Sequence, residues 1–182
     1  MRCYDHKDKR FVCIKIIKNQ ARFFKQGLVE VCVLDYAKLN EEKHEPHNIV
    51  KMEDQFVFRN HLCIQFEILG LDLYEVIKKN DYCGLSQSLV KKVARHVIEC
   101  LRFTYKHNII HCDMKPENIL LSDERSGIKV IDFGSSCFED ERIFTYIQSR
   151  FYRAPEVMLG IPYTPAIDMW STACIICELL TG

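Results

Sequence analysis

The chain has 182 residues, 48% hydrophobic and 27% charged, enough apolar material for a core and enough charge to stay in water. Lysine plus arginine equals aspartate plus glutamate at 25 each, so the net charge is +0, which argues against the broad basic face of a nucleic-acid binder. No apolar run approaches membrane-spanning length, and Arg2, Asp5, His6, Lys7 and Asp8 interrupt any apolar leader, so no membrane partner is expected. Ten cysteines are scattered among apolar positions. Only Cys174 and Cys177 form a C-x-x-C, and no second pair exists to complete a zinc site. They read as buried thiols on one helix face, in a reducing compartment, cytoplasmic or nuclear.

In chain order, residues 11–17 (F-V-C-I-K-I-I) read as a buried strand with one lysine in its middle. Residues 21–39 read as a helix with Phe24, Leu28, Val31 and Leu34 on its apolar stripe. Residues 49–58 and 61–67 read as two strands around a turn at Arg59 and Asn60. After Gly70 the pattern becomes helical: a short helix over 72–79, then a longer one that Ser86 caps, with Leu89, Val93, Val97 and Leu101 inward. A short strand at 119–121, a polar turn at 122–127 and a strand at 128–131 follow. Thr164 and Pro165 open a last helix over 165–181. The switch near 67–72 is the expected lobe boundary.

Between two apolar runs, residues 111–118 crowd His111, Asp113, Lys115, Glu117 and Asn118 into H-C-D-M-K-P-E-N. On a loop, Asp113 and Lys115 can face the same side. Asp132 ends the strand I-K-V-I and is followed by Phe133 and Gly134, which suits a carboxylate that holds a metal ion. The words H-x-D-x-K-x-x-x-N, D-F-G and A-P-E (154–156) occur in that order, and together they resemble the catalytic and metal-binding loops of eukaryotic protein kinases.

That resemblance implies an α+β, two-lobed kinase fold: an N-lobe antiparallel sheet with one helix, and a mainly helical C-lobe. It also implies roles. Asp113 accepts the substrate hydroxyl proton, Lys115 steadies the transferring phosphate, and Asn118 and Asp132 hold Mg²⁺. V-C-I-K resembles V-A-I-K, which makes Lys15 the partner of the ATP α/β-phosphates and Glu30 its helix partner. Phe66 resembles the gatekeeper of the adenine pocket, Glu67, Ile68 and Leu69 the hinge, and Asp72 the ribose contact. His111 and Phe133 are expected in the core, beside an apolar residue such as Leu34, and Asp168 is expected to anchor the catalytic-loop backbone.

Many kinases have arginine before the catalytic aspartate to clamp an activation-loop phosphate. Cys112 cannot do this. The words H-C-D, D-F-G-S-S-C, T-Y-I-Q-S-R-F-Y-R and A-I-D-M-W resemble the dual-specificity tyrosine-regulated kinases, the DYRK family of the CMGC group, closest in wording to class II. The family autophosphorylates the second tyrosine of a Y-x-Y pair. Here Phe144 replaces the first and Tyr146 is the second. Phosphotyrosine adds about −1.5 to −2 charges, which Arg150 and Arg153 would receive in place of the missing arginine. The family implies protein Ser/Thr substrates with a following proline. Cys112 and Cys137 are expected near each other, either as reduced thiols or as an oxidant-sensitive pair.

The pattern also departs from the family. No glycine precedes Lys15, so the Gly-rich phosphate loop is missing, and the helix of Asp168 is the last element. The expected organisation is therefore a partial N-lobe over 1–66, a hinge over 67–72 and a partial C-lobe over 73–182. Two function classes follow: an ATP-dependent dual-specificity kinase, or a catalytically incomplete kinase-fold fragment or pseudokinase-like interaction protein.

Overall fold

The computed structural model describes residues 1–40, 47–122, 127–142 and 144–182. Four antiparallel strands come first: β1 (Arg2–Asp5), β2 (Arg10–Ile16), β3 (Met52–Phe58) and β4 (His61–Phe66), in the order β1-β2-β4-β3. Arg59 and Asn60 join β3 to β4 with φ of 47° and 62°, the left-handed pair that a two-residue hairpin requires. One helix, α1 (Ala21–Leu39), packs against this sheet, and no helix among the described residues is long and apolar enough to cross a membrane.

The buried face of α1 differs from the expected stripe. Val31 and Leu34 are buried, but Phe24 and Leu28 are exposed, and Gly27, Glu30, Val33 and Ala37 take their place. The helix is turned to bring Glu30 inward. Gly27 permits this, since a Cβ there would lie 3.0 Å from Leu62 and 3.1 Å from Ile17.

Past β4 the chain becomes helical, with α2 (Leu73–Lys79) and α3 (Gln87–Lys106). Ser86 caps α3 through the Leu89 N–H, as its residue type suggests. Val93, Val97 and Leu101 face inward, while Leu89 is exposed and Val90 is buried instead. Short strands then build the centre: β5 (Ile109–Ile110) pairs β8 (Cys137–Phe138), and β6 (Ile119–Leu121) pairs β7 (Ile128–Val130). Most of the expected turn at 122–127 lies outside the described residues. α4 (Pro155–Met158) and α5 (Ala166–Thr181) follow, and the Thr164 hydroxyl accepts the Ala166 N–H at the start of α5. Cys174 is half-buried, but Cys177 is exposed rather than buried beside it.

One apolar core runs without interruption from Val31, Leu34 and Ile64, through Val93, Val97 and Ile119, to Ile175 and Leu179. A second, smaller cluster gathers Ile110, Cys112, Cys137, Ile147, Ala154, Tyr163 and Ile167 beneath the loops. The first ties the sheet to the helices, and the second supports the chemistry-bearing segment.

The α2–α3 connection is seated on the end of α5. Leu85 N–H bonds Leu179 O at 2.7 Å, and Gly84 has φ of 74° with no room for a Cβ, which would lie 2.4 Å from Leu180 O. Gly84→Ala therefore combines a left-handed alanine with a backbone clash. A stability loss of about 1–3 kcal/mol is expected in the urea midpoint.

Candidate active site

Three polar groups converge where the sheet meets the helices. Lys15 projects from near the end of β2, and its Nζ lies 2.9 and 2.7 Å from the two carboxylate oxygens of Glu30 on α1. The same Nζ lies 2.7 Å from Asp132 Oδ1. Burial works against the Lys15 ammonium, but the Glu30 and Asp132 carboxylates outweigh it and raise its pKa. Burial likewise works against the Asp132 carboxylate, and Lys15 more than compensates, so the Asp132 pKa is lowered. Burial pushes Glu30 up while Lys15 pulls it down. Burial prevails and raises the Glu30 pKa, although the Lys15 ammonium meets both its oxygens.

Asp132 has φ of 64°, left-handed for a non-glycine residue, and opens a 3₁₀ turn over Phe133–Ser135. Phe133 is fully buried and meets the His111 ring edge-on at 4.7 Å. His111 Nδ1 accepts the Asp113 N–H at 3.2 Å, so its Nε2 donates to Ile131 O at 3.0 Å. One imidazole thus links the loop of Asp113 to the strand end that carries Asp132.

Asp113 is held on all sides. Lys115 Nζ donates to its Oδ2 at 2.7 Å, and Ser149 Oγ donates to its Oδ1 at 2.8 Å. Asn118 Nδ2 donates to its carbonyl at 2.8 Å. That bond spends the amide nitrogen and leaves the amide oxygen as the donor atom Asn118 can offer a metal. Asn118 and Asp132 each carry a hard oxygen of the kind that a divalent cation takes. Among the described residues no group of three His, Cys, Asp or Glu is placed to hold a metal ion.

The loop beneath is clamped by Asp168, buried in the first turn of α5. Its Oδ2 accepts the His111 N–H at 2.7 Å and its Oδ1 the Cys112 N–H at 3.0 Å. Burial pushes its pKa up, while His111 and the two amide groups pull the other way. Cys112 is left-handed, φ 66°, and its carbonyl accepts the Gln148 N–H at 2.9 Å. Cys112 Sγ and Cys137 Sγ stand 3.9 Å apart as buried free thiols, the proximity expected of them. The thiol hydrogen bond from Cys112, then that from Tyr163, hold Cys137 down to about 7, while Cys112 is pushed far up.

Gln148 and Ser149 carry much of the geometry and were not singled out in the sequence. Gln148 is buried and left-handed, φ 63°. Its side chain donates to Ile167 O and Ser171 Oγ and accepts the Ala154 N–H. Its carbonyl accepts from Arg153 Nη2 at 2.8 Å, and Arg153 Nε donates to Ile147 O at 2.9 Å. The same guanidinium lies 4.3 Å from the ring centre of Tyr146, which is 80% exposed. Arg153, and behind it Arg150, hold the Tyr146 phenol below the usual tyrosine range. Arg150 is exposed on its own 3₁₀ turn.

Between the sheet and β6–β7 lies a cavity of about 560 Å³. Lys15, Glu30, Phe66, Glu67, Ile68, Leu69 and Asp132 line it, together with Cys13. Asp72 is not among its lining. It caps α2, accepting the Glu75 N–H at 2.8 Å, and bridges to Leu120.

A protein kinase domain matches the chain over residues 1–182. The chain belongs to the protein kinase family. Among individual kinases, it is 56% identical to a putative dual specificity tyrosine-phosphorylation-regulated kinase 3 homolog of Drosophila melanogaster, over 100% of the chain and 22% of that protein. It is 55% identical to dual specificity tyrosine-phosphorylation-regulated kinase 2 of the same fly (100% and 25%), and 51% identical to kinase 4 of that series from Homo sapiens (100% and 35%). The chain thus spans about a third or less of the length of these relatives. As a kinase domain it carries the two-lobed α+β fold that its motifs implied, in part of the domain's length.

Asp168→Ala would leave two buried N–H groups of the catalytic loop without a partner. Each costs about 1–3 kcal/mol, so a loss of about 3 kcal/mol is expected in urea unfolding, larger than for any exposed carboxylate replaced in the same way.

Proposed function

We propose that this chain is the catalytic segment of an ATP- and Mg²⁺-dependent protein serine/threonine kinase of the DYRK type, which matures by phosphorylating its own Tyr146. The observation that carries the reading is Lys15, whose ammonium lies within 2.7 Å of both Glu30 and Asp132. The cation proposed for the phosphates, its helix partner and the carboxylate proposed for the metal thus meet in the wall of a cavity of about 560 Å³.

Phosphoryl transfer needs positioning and charge neutralisation more than covalent chemistry. Asp113, oriented by Lys115 and Ser149, accepts the proton of the incoming hydroxyl. Lys115, on the same carboxylate, faces the charge that moves with the phosphoryl group. Lys15 neutralises the phosphates that stay with the nucleotide. Asn118 and Asp132 would hold Mg²⁺, which would supply further positive charge beside the phosphates. The hinge segment Glu67–Leu69 offers backbone groups to the purine beside Phe66, and Asp72 is the proposed ribose contact.

Tyr146 stands exposed beside Arg153, with Arg150 four residues on. Phosphorylation would turn the present ring–guanidinium contact into a charge-assisted one. The substrates we propose are proteins, with serine or threonine followed by proline. The carbonyl of Gln148 is already taken by Arg153, so a substrate N–H arriving after the target residue would find no acceptor there, and proline has no N–H to satisfy. The ten free cysteines support a reducing compartment, cytoplasmic or nuclear.

Two measurements test the reading. Phosphopeptide mass spectrometry of the chain made in bacteria lacking tyrosine kinases should find phosphate on Tyr146, absent in Asp132→Ala; phosphate that persists in that variant would refute autophosphorylation. Peptides differing only in Ser-Pro against Ser-Ala should differ in kcat/KM by about tenfold, the cost of one unpaired N–H, and equal rates would end the proline assignment.

A further inference from the structure

Lys129 lies on β7, three residues before Asp132, and is not among the residues that line the cavity. Its Nζ lies 2.9 Å from Glu67 Oε1, with both side chains more than two-thirds buried. The same Oε1 accepts the Lys51 N–H at 2.7 Å, and Glu67 N–H donates back to Lys51 O at 3.2 Å. From Lys51 the chain runs back to Val50 and Asn48, which exchange hydrogen bonds with Val130 at 3.0 and 2.8 Å. Val130 is the neighbour of Lys129. The contacts therefore close a ring: Glu67, Lys51, Val50, Val130, Lys129 and Glu67 again.

That ring spans the two halves of the molecule. Glu67 follows the last strand of the sheet, while Lys129 pairs with Leu120 on β6, and Leu120 lines the opposite wall of the cavity. Glu67 lines the cavity while its carboxylate is held by Lys129 and the Lys51 N–H. Among the described residues, the carbonyls of Glu67 and Leu69 and the N–H of Leu69 make no backbone hydrogen bond. These are the groups that can meet the edge of a purine.

We infer that Lys129 is a positioning residue for the purine: by holding the Glu67 carboxylate it sets the hinge at the distance from β6 and β7 at which a purine fits between them. This rests on the nucleotide-site reading above. Lys129 touches no ligand itself. Its removal should weaken the binding of anything that uses the hinge, with or without phosphates. Lys15 should act on phosphate-bearing ligands alone.

Calorimetric titration of the folded chain with adenosine and with ATP separates these roles. Lys129→Met is expected to weaken both ligands by the same factor, about fivefold, while Lys129→Arg, which restores the cation, stays within about twofold of wild type. Lys15→Ala should weaken ATP and leave adenosine unchanged. A merely structural role for Lys129 would lower the Tm and leave the affinity of the folded molecules untouched, and that result overturns the inference. So does a loss confined to ATP. If Lys129→Met does not fold, Glu67→Gln makes the same comparison, because it keeps the oxygen for Lys51 N–H and drops the charge. A wild-type chain that binds neither ligand overturns the nucleotide-site reading, and the inference with it. Wild-type binding with an unchanged Lys129→Met overturns the inference alone.

Discussion

The geometry of the site depends on one buried carboxylate holding two backbone N–H groups. Asp168 accepts from His111 and Cys112, and Cys112 sits in a left-handed conformation that costs a non-glycine residue about 1–3 kcal/mol. Such a conformation persists only where its surroundings hold it. Asp168 holds the two N–H groups, Gln148 N–H holds the Cys112 carbonyl, and Gln148 is in turn fixed by Ser171 and Ile167 on α5. The helix that anchors the catalytic loop therefore anchors the segment that faces it, and Asp113 and Ser149 meet at 2.8 Å because both are referred to α5.

A second set of contacts refers the sheet to that same frame. Lys15 reaches Glu30 on α1 and Asp132 after β7, and His111 reaches Ile131 beside it. Neither polar set is an ordinary stabiliser. Burying charge is expensive unless it is paired, and replacing such groups by apolar ones often leaves a fold as stable. Here Lys15, Glu30 and Glu67 at the cavity each have a charged partner, yet Asp132 retains an oxygen that Lys15 does not occupy. Charges kept at such cost and left partly open toward a cavity are what a site for an anionic ligand requires.

The sequence showed the chemical groups more clearly than the contacts that aim them. Lys15, Glu30, Asp113, Asn118 and Asp132 stand in short words of unusual composition, and Asp168 was legible as a loop anchor by the same resemblance. Ser149, Gln148 and Lys129 were not legible. Each is an ordinary polar residue whose partner is 19 to 62 positions away, so no local pattern marks it. The misread stripe of α1 has the same origin: periodicity favours Phe24 and Leu28, but the helix turns to bury Glu30 against Lys15, a tertiary demand that overrides amphipathic pattern. Asp72 shows the converse, a residue assigned by family position whose local chemistry, an N-cap, accounts for its contacts. The two-residue strands β5 and β8 are too short for any period to reveal.

Arg153 joins these levels. Its guanidinium spends two donors on the carbonyls of Ile147 and Gln148 and presents its face to Tyr146. The bond to Gln148 removes a carbonyl from the surface a substrate would meet, and it helps hold Gln148 in the left-handed shape that carries Ser149 to Asp113. A phosphate on Tyr146 would find this cation already fixed, with its entropy of ordering spent on backbone contacts rather than on the phosphate. On that reading Arg153 would do the work that an arginine before Asp113 does in many kinases. Cys112 is buried and packs against Cys137 at 3.9 Å, while Arg153 stands on the other side of Gln148. On the proposed reading, regulation, substrate choice and the aim of Asp113 would converge on this one side chain, because the segment that Arg153 holds also carries Ser149 to Asp113.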